Sequence, residues 1–250
     1  MLAETPAIVL KAVDFKESSK IITLFTRELG RLGVLVRGFK KSKSKYAGIM
    51  AFGSVIDATF YYKDSRGVQT MKDAESRVST VRTQGDFTKL ALSMAFLELI
   101  SQVIQDQEPN EELYDFTEKF LKWLSETEAN PRNLFPYLQV RVAEILGVGL
   151  QPPEAWPDFS IRTAGLQVLY LNILSGSLSD VPDDGLSFKL SEQQSRYLLF
   201  ALSGKSSGIL NLEMPVQELK PLVYHLDVYL KHHIEGVRDR KSDSIFEQIL

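Results

Sequence analysis

The side chains best suited to bind a ligand lie in residues 37–46, which are called the basic segment below. The segment reads Arg-Gly-Phe-Lys-Lys-Ser-Lys-Ser-Lys-Tyr, with five cations in its first nine residues and no acid. Lysine and arginine neutralise phosphates and release the counterions condensed on a nucleic acid, and an aromatic ring can stack on an unpaired base. This pattern predicts a nucleic-acid interface. The candidate contacts are Arg31, Arg37, Phe39, Lys40, Lys41, Lys43, Lys45 and Tyr46.

Arg31 lies one strand before the basic segment and is expected to add to the same face. The alternative for the whole group is a solvated, mobile loop that is basic for solubility alone. Attachment to a small barrel favours binding, because barrels of the OB type hold single strands across one sheet face and its bordering loops.

The net charge changes sign along the chain. Residues 1–82 hold 15 Lys and Arg against 8 Asp and Glu, a net charge of +7, and residues 83–250 carry a net charge of −10. A basic N-terminal module suits a polyanion, and an acidic remainder suits a protein partner.

Motifs that would indicate catalysis, a metal or a cofactor fail in context. Gly204-Lys205-Ser206 lacks the glycine that a phosphate-binding loop needs five positions earlier, and Ser42-x-x-Lys45 matches a serine-nucleophile motif only by letter. The three histidines, all within residues 225–233, belong to one predicted helix whose solvated surface accounts for them. The chain has no cysteine, so it has no disulfide and no thiolate metal site. We predict no catalytic residue, no metal and no cofactor.

The first 82 residues predict a small barrel. Short stretches rich in β-branched and aromatic residues alternate with turn signals, too closely spaced for helical crossovers. Five such strands suit an antiparallel barrel of the OB or SH3-like kind. The predicted strands are residues 7–13, 20–26, 33–37, 55–62 and 68–74.

From residue 84 onward the hydrophobic period becomes helical. Asn133 is the predicted N-cap of the third helix, and Ser191 with Gln194 forms a capping box at a later one. Residues 148–187 interrupt the pattern with prolines and glycines, and residues 165–171 within them predict one strand or one arm of a hairpin. The other predicted helices cover residues 87–104, 111–125 and 215–234, and the third runs from 133 to 146.

The predicted fold class is therefore α+β with two domains. A five-stranded OB-fold barrel occupies residues 1–82, and a mainly α-helical bundle occupies residues 83–250, with residues 148–187 as an irregular insert. Arg132 and Arg141 are isolated cations in the acidic bundle. An arginine beside an apolar groove would suit an acidic, hydrophobic peptide tail, whereas Arg141 could simply pair with Glu144.

No run of about 18 apolar residues is present to span a bilayer, and the first six residues lack the basic and apolar regions of a secretory signal. We therefore expect a cytoplasmic protein with no membrane contact.

The order of these features resembles the bacterial RecO family. The resemblance is most specific in residues 7–11 (AIVLK), 17–27 (ESSKIITLFTR) and 30–38 (GRLGVLVRG), the last followed by a Lys/Ser cluster. It continues through residues 141–147 (RVAEILG) and the closing stretch 233–242. It covers nearly the whole chain.

The resemblance implies an OB-fold joined to a helical bundle that acts without catalysis in homologous recombination and DNA repair. Members of the family bind single- and double-stranded DNA, anneal complementary strands and contact the acidic C-terminal tail of the single-strand-binding protein SSB. Together with RecR they help load the RecA recombinase onto SSB-coated DNA, which implies a nucleoid-associated protein. Arg37 and Lys40 match positions of DNA-contacting cations in the family.

One feature departs from the family. Many members carry a four-cysteine zinc module where residues 148–187 stand here, so this chain resembles a zinc-less variant.

Two other functions remain open from the residues alone. One is a protein-interaction adaptor whose barrel binds a peptide and whose basic loop is incidental. The other is a hydrolase, for which the sequence offers only the motifs rejected above.

Overall fold

The computed structural model describes residues 1–153, 168–182, 185–204 and 206–250. They form two compact units, Met1–Glu128 with Arg240–Ser242 and Ala129–Asp239 with Asp243–Leu250. The first unit holds the predicted barrel together with helices that follow it. The predicted domain boundary between residues 82 and 83 stays a prediction.

The first unit is built on a closed five-stranded barrel with the strand order β1-β2-β3-β5-β4. Neighbouring strands are antiparallel except for β3 and β5, which run parallel. This architecture confirms the predicted fold class, an OB-like barrel followed by helices. The strands are β1 (Leu2–Phe15), β2 (Ser19–Thr26), β3 (Gly30–Val36), β4 (Val55–Tyr61) and β5 (Val68–Val78).

The barrel forms because buried and more exposed residues alternate along its strands. In β3, for example, every second residue from Gly30 to Val36 is buried, which is the period of a pleated strand with one face on the core. β1 is longer than predicted and carries an irregularity between Val9 and Lys11. Such a bulge bends a strand, which lets one long strand pair with both β2 and β4 as the sheet closes.

Helices α1 (Tyr46–Ile49), α2 (Val81–Gln84), α3 (Phe87–Val103) and α4 (Glu111–Glu126) complete the first unit. The Asp86 side chain caps α3 by accepting a hydrogen bond from the backbone N–H of Lys89. α4 packs on the barrel, where the Tyr114 ring meets Phe25 edge to face with centroids 5.4 Å apart. Arg27 of the barrel forms a bidentate pair with Asp115 of α4, with N···O distances of 2.7 and 3.0 Å.

The second unit contains a 3-10 turn (Arg132–Leu134) and the helices α5 (Phe135–Ile145), α6 (Glu192–Leu202), α7 (Ser206–Leu210), α8 (Val216–His233) and α9 (Asp243–Phe246). A small sheet of order β7-β6-β8 consists of β6 (Tyr170–Asn172), β7 (Leu178–Ser179) and β8 (Ser187–Lys189). The strand predicted over residues 165–171 falls partly outside the described residues.

Two helix caps predicted for this unit have different outcomes. The capping box of Ser191 and Gln194 is confirmed, because each side chain bonds the other residue's backbone N–H. Asn133 is not an N-cap. Its side-chain amide instead donates to the Leu212 carbonyl at 2.8 Å, and α5 begins at Phe135 after the 3-10 turn.

Within the described residues, no helix has the length and apolar character needed to cross a bilayer.

The β2–β3 hairpin contains a position that only glycine fits. Gly30 has a φ of +65°, and a Cβ added there would lie 2.4 Å from the backbone oxygen of Glu108. We expect Gly30→Ala to lower the free energy of unfolding by about 2–4 kcal/mol, from left-handed strain and overpacking combined. Urea denaturation followed by circular dichroism measures this loss.

Gly48→Ala is the matched control, because an added Cβ at Gly48 meets nothing within 4 Å. We expect it to change the free energy of unfolding by less than about 1 kcal/mol. Equal stability of the two variants would contradict the close approach of Gly30 to Glu108.

Candidate nucleic-acid interface

The basic segment leaves the barrel directly after β3 and leads into α1. It folds as successive tight turns, in which the backbone N–H of Lys41 donates to the Gly38 carbonyl at 3.2 Å and that of Ser44 donates to the Lys41 carbonyl at 2.9 Å. Its cations are on the outside. Arg37, Lys40, Lys41, Lys43 and Lys45 are all exposed.

Phe39 anchors the start of the segment to the barrel. Its ring is 9% exposed and belongs to the barrel core. The Lys20 ammonium lies 5.1 Å from the centre of this ring, and the next backbone N–H, that of Lys40, donates to the Ser18 carbonyl at 3.1 Å. The base-stacking role predicted for Phe39 does not fit this placement, because a buried ring cannot present a face to a base.

Tyr46 anchors the other end. It is the first residue of α1, it packs partly buried against the barrel core, and its hydroxyl donates to the Lys72 carbonyl of β5 at 3.3 Å. The two aromatic residues therefore fix the ends of the basic segment to the barrel. Any base contact by the Tyr46 ring stays a prediction.

Three of the predicted cations pair with carboxylates of the same unit. The Lys40 ammonium lies 2.7 Å from Asp14 Oδ2, and Lys45 forms an ion pair with Asp73. Among the described residues, Arg37, Lys41 and Lys43 take part in no ion pair. These three are the cations of the segment that remain without an internal counterion.

Arg31 is the third paired cation, and it lies apart from the basic segment. Its Nε donates to Asp106 at 2.6 Å and its Nη1 to the Ser101 carbonyl at 2.9 Å. Arg31 is near the start of β3 and Arg37 just beyond its end, which places them about 20 Å apart along the strand. The structure therefore does not bring Arg31 together with the other predicted contacts.

The two lysine pairs shift the titration of their carboxylates. The hydrogen bond from Lys40 holds the pKa of Asp14 below its usual value. The hydrogen bond from Lys45, followed by one from the Ala74 N–H, lowers the pKa of Asp73, and the same pair raises the pKa of Lys45. Asp14 and Asp73 are therefore ionised at neutral pH, and Lys45 is protonated.

A mostly aliphatic face lies on the barrel beside the segment, and sequence reasoning missed it. Val13 and Val68 on this face are 47% and 42% exposed. Its side chains point away from the core because their chain neighbours, such as Ile22 and Val34, are fully buried inside. We call this face the outer strip. Its two cross-strand rows are Val13, Ile21, Leu35 and Thr70, and Lys11, Thr23, Gly33 and Val68.

The outer strip could have been found in the sequence, because the residues that alternate with the buried ones along each strand must point away from the core. The strip offers shallow aliphatic contact, with the exposed Lys11 at one edge and Arg37 directly after β3 at another. Such a surface suits the apolar parts of nucleotides once nearby cations hold the phosphates.

Other cations of the barrel serve packing within the first unit. Arg27 pairs with Glu111 at 2.7 Å as well as with Asp115, and Arg77 pairs with Glu118 of α4 at 2.6 Å and with Asp57 at 3.1 Å. The positive charge of residues 1–82 is thus partly neutralised by acids of α4 and of the turn before it.

A cleft of about 410 Å³ lies at the C-terminal end of β5. Arg77, Arg82 and Lys122 line it together with Glu126. Arg77 is already held by two carboxylates, and no residue of the basic segment lines the cleft.

The two arginines predicted to bind a partner lie in the second unit. Arg132 Nη2 donates to the Met214 carbonyl at 3.2 Å, and its Nε is buried with no hydrogen-bond partner among the described residues. Arg141 pairs with Glu144, as the spacing had suggested. Arg132 therefore retains an unused donor, whereas Arg141 already has a carboxylate.

The histidines and acids of the described residues form no cluster of three or more that could hold a metal ion. The solvated surface predicted for the histidines is wrong for His225, whose ring stacks on Phe188 with centroids 4.2 Å apart. Burial lowers the pKa of His225, so its ring is neutral at pH 7.

Comparison with known proteins gives two family matches. Residues 1–79 match the N-terminal model of recombination protein O, and residues 84–243 match its C-terminal model. The chain is similar to the DNA repair protein RecO of Chloroherpeton thalassium, with 30% identity over the full length of both chains. It is 29% identical to that of Chlorobium phaeobacteroides over 100% of this chain and 99% of the relative. The match to the Salinibacter ruber protein, 31% identical, covers 59% of this chain and 56% of the relative.

The pairing of Lys40 with Asp14 can be tested by titration. We expect Lys40→Met to raise the pKa of Asp14 toward its ordinary value, because the largest cause of its lowering is removed while Lys20 remains 3.4 Å away. Carboxyl-carbon NMR titration of the wild type and the variant measures this change.

Lys41→Met is the control, because it removes the neighbouring charge without touching Asp14. An Asp14 titration that responds equally to both substitutions, or to neither, would contradict the pair.

Proposed function

Because the chain belongs to the recombination protein O (RecO) family of DNA repair and recombination proteins, we propose that it is a non-catalytic recombination mediator that binds DNA through its barrel. In this proposal it binds single- and double-stranded DNA and anneals complementary strands. With RecR, it helps load RecA onto SSB-coated single strands. The observation that carries the proposal is the group of exposed, unpaired cations beside the outer strip.

Arg37, Lys41 and Lys43 supply the phosphate contacts. They project from one turn-rich segment whose ends are fixed by Phe39 and Tyr46, so binding orders little additional backbone. Cations without an internal counterion gain most from a phosphate, because each contact displaces a condensed ion from the DNA. Lys40 and Lys45 lie beside them in the basic segment and complete the row of cations that would follow the phosphates.

The outer strip contributes the sequence-independent part of the contact. Its centre is aliphatic and includes Gly33, so a nucleotide can lie across it without being clamped between rings. Bases held in this way keep their pairing edges accessible. Annealing requires this condition together with reduced repulsion between two polyanions.

The second unit is the proposed contact for the acidic C-terminal tail of SSB. Of the two candidates, Arg132 is better placed, because among the described residues it forms no ion pair, whereas Arg141 is already paired with Glu144. Capture of the tail would raise the effective concentration of the barrel at SSB-coated strands. DNA as the ligand and RecR and RecA as partners imply a cytoplasmic, nucleoid-associated protein.

A protein-interaction adaptor is the second candidate. The exposed aliphatic residues of the outer strip favour it, since an apolar surface also suits a protein partner. It differs from the first proposal in salt dependence, because DNA held by lysine and arginine is released by salt and an apolar protein contact is not.

The triple variant R37Q/K41Q/K43Q tests the DNA interface. At low salt we expect its affinity for a labelled oligo-dT strand to fall about 100-fold, because three phosphate contacts are lost. The slope of log K against log salt should flatten by about 2, at roughly 0.7 per contact. Fluorescence anisotropy at several NaCl concentrations measures both quantities.

The control R82Q/K119Q/K122Q removes the same charge from exposed positions on α2 and α4. Annealing of SSB-coated complementary oligonucleotides is measured alongside and should fail only with R37Q/K41Q/K43Q. Equal loss in the two variants would mean that net charge alone governs binding.

Binding of a labelled SSB-tail peptide tests the second unit. We expect Arg132→Ala to weaken binding about tenfold or more, the cost of losing a charge-assisted hydrogen bond, and Arg141→Ala to have little effect. An effect confined to Arg141 would reverse this assignment.

A further inference from the structure

We propose that Asp14 and Asp73 are internal counterions of the DNA interface, which hold Lys40 and Lys45 in the free protein and thereby limit its affinity for DNA. This inference rests on the proposed function. It concerns acidic residues that do not contact DNA themselves but determine how many cations are available to bind a DNA strand.

The two carboxylates form ion pairs with lysines near opposite ends of the basic segment. Asp14, near the end of β1, accepts from Lys40 through one oxygen and faces Lys20 at 3.4 Å through the other. Asp73 of β5 pairs with Lys45 through the same oxygen that accepts the Ala74 N–H. The unpaired Lys41 and Lys43 lie between these two pairs in sequence.

Both pairs are open to solvent. The side chains of Asp14 and Lys40 are 65% and 33% exposed, and those of Asp73 and Lys45 are 46% and 57% exposed. Ion pairs at such exposure contribute little to folding. A phosphate can therefore take either lysine from its carboxylate without unfolding the segment.

The carboxylates are not needed to hold the segment in place. Burial of Phe39, the hydrogen bond from the Lys40 backbone to Ser18 and the hydrogen bond from the Tyr46 hydroxyl to Lys72 fix the segment without them. Replacing either aspartate by asparagine should thus change charge and leave the backbone path unchanged.

A Lys–Asp pair carries no net charge, so it neutralises a phosphate poorly and leaves a carboxylate close to the DNA. Replacing the aspartate leaves a net cation. We expect Asp14→Asn and Asp73→Asn each to tighten binding to oligo-dT about 3- to 5-fold at low salt and to steepen the salt slope by about 0.7. The double variant D14N/D73N should bind oligo-dT roughly 10-fold tighter or more than the wild type if the two effects add.

The experiment compares these variants of the full chain by anisotropy with a labelled oligo-dT strand over a range of NaCl concentrations. Asp106→Asn is the matched control, because it removes the exposed carboxylate partner of Arg31, which lies away from the segment. The double variant D14N/K40Q adds a second check, since it should lose the gain that D14N gives alone.

Each outcome decides the inference. Tighter binding and a steeper slope for D14N and D73N but not for D106N support it. Weaker or unchanged binding for D14N and D73N overturns the inference and leaves the proposed function standing. An equal gain in affinity for D106N has the same consequence. If the wild-type protein shows no salt-dependent binding to oligo-dT, both the proposed function and this inference are wrong.

Discussion

The distribution of ion pairs within the first unit determines which of its cations remain open to a ligand. Arg27 and Arg77 join the barrel to the acidic α4, and Arg31 joins it to Asp106 in the turn before that helix. At the other end of β3, Arg37, Lys41 and Lys43 form no ion pair with any residue that the structure describes. The charge asymmetry visible in the sequence is therefore partly a packing device, and three of the cations left outside these ion pairs lie together in the basic segment.

The barrel core is the second constraint, because it positions the basic segment. Phe39 and Tyr46 have the residue type expected of stacking rings, yet the structure places both against the core. Burial of these rings makes an otherwise polar turn adopt one path. The aliphatic outer strip then lies beside a fixed row of cations, an arrangement suited to a strand whose sequence is not read.

The sequence predicted the barrel well, because strand burial follows a period of two residues. Each barrel strand was placed within a few residues except β1, whose bulge leaves no simple pattern, whereas β7 and β8 of the second unit were not predicted. The capping box at Ser191 was also predictable, since it is local. Asn133 was misassigned because its amide bonds Leu212, far away in sequence. The cation-rich segment was evident, but its internal partners were not. Asp14 and Asp73 reach Lys40 and Lys45 only through strand pairing, and Asp106 meets Arg31 after a separation of 75 residues.

The central claim is that unpaired cations beside the outer strip, and not the paired arginines, contact DNA. Amide and side-chain NMR shifts of the full chain during titration with oligo-dT test it most directly. The account predicts shifts at Arg37, Lys41 and Lys43 and at Val13, Ile21 and Leu35 of the outer strip, with Arg27, Arg31 and Arg77 unchanged. Shifts centred on those three paired arginines, with the basic segment silent, would contradict it.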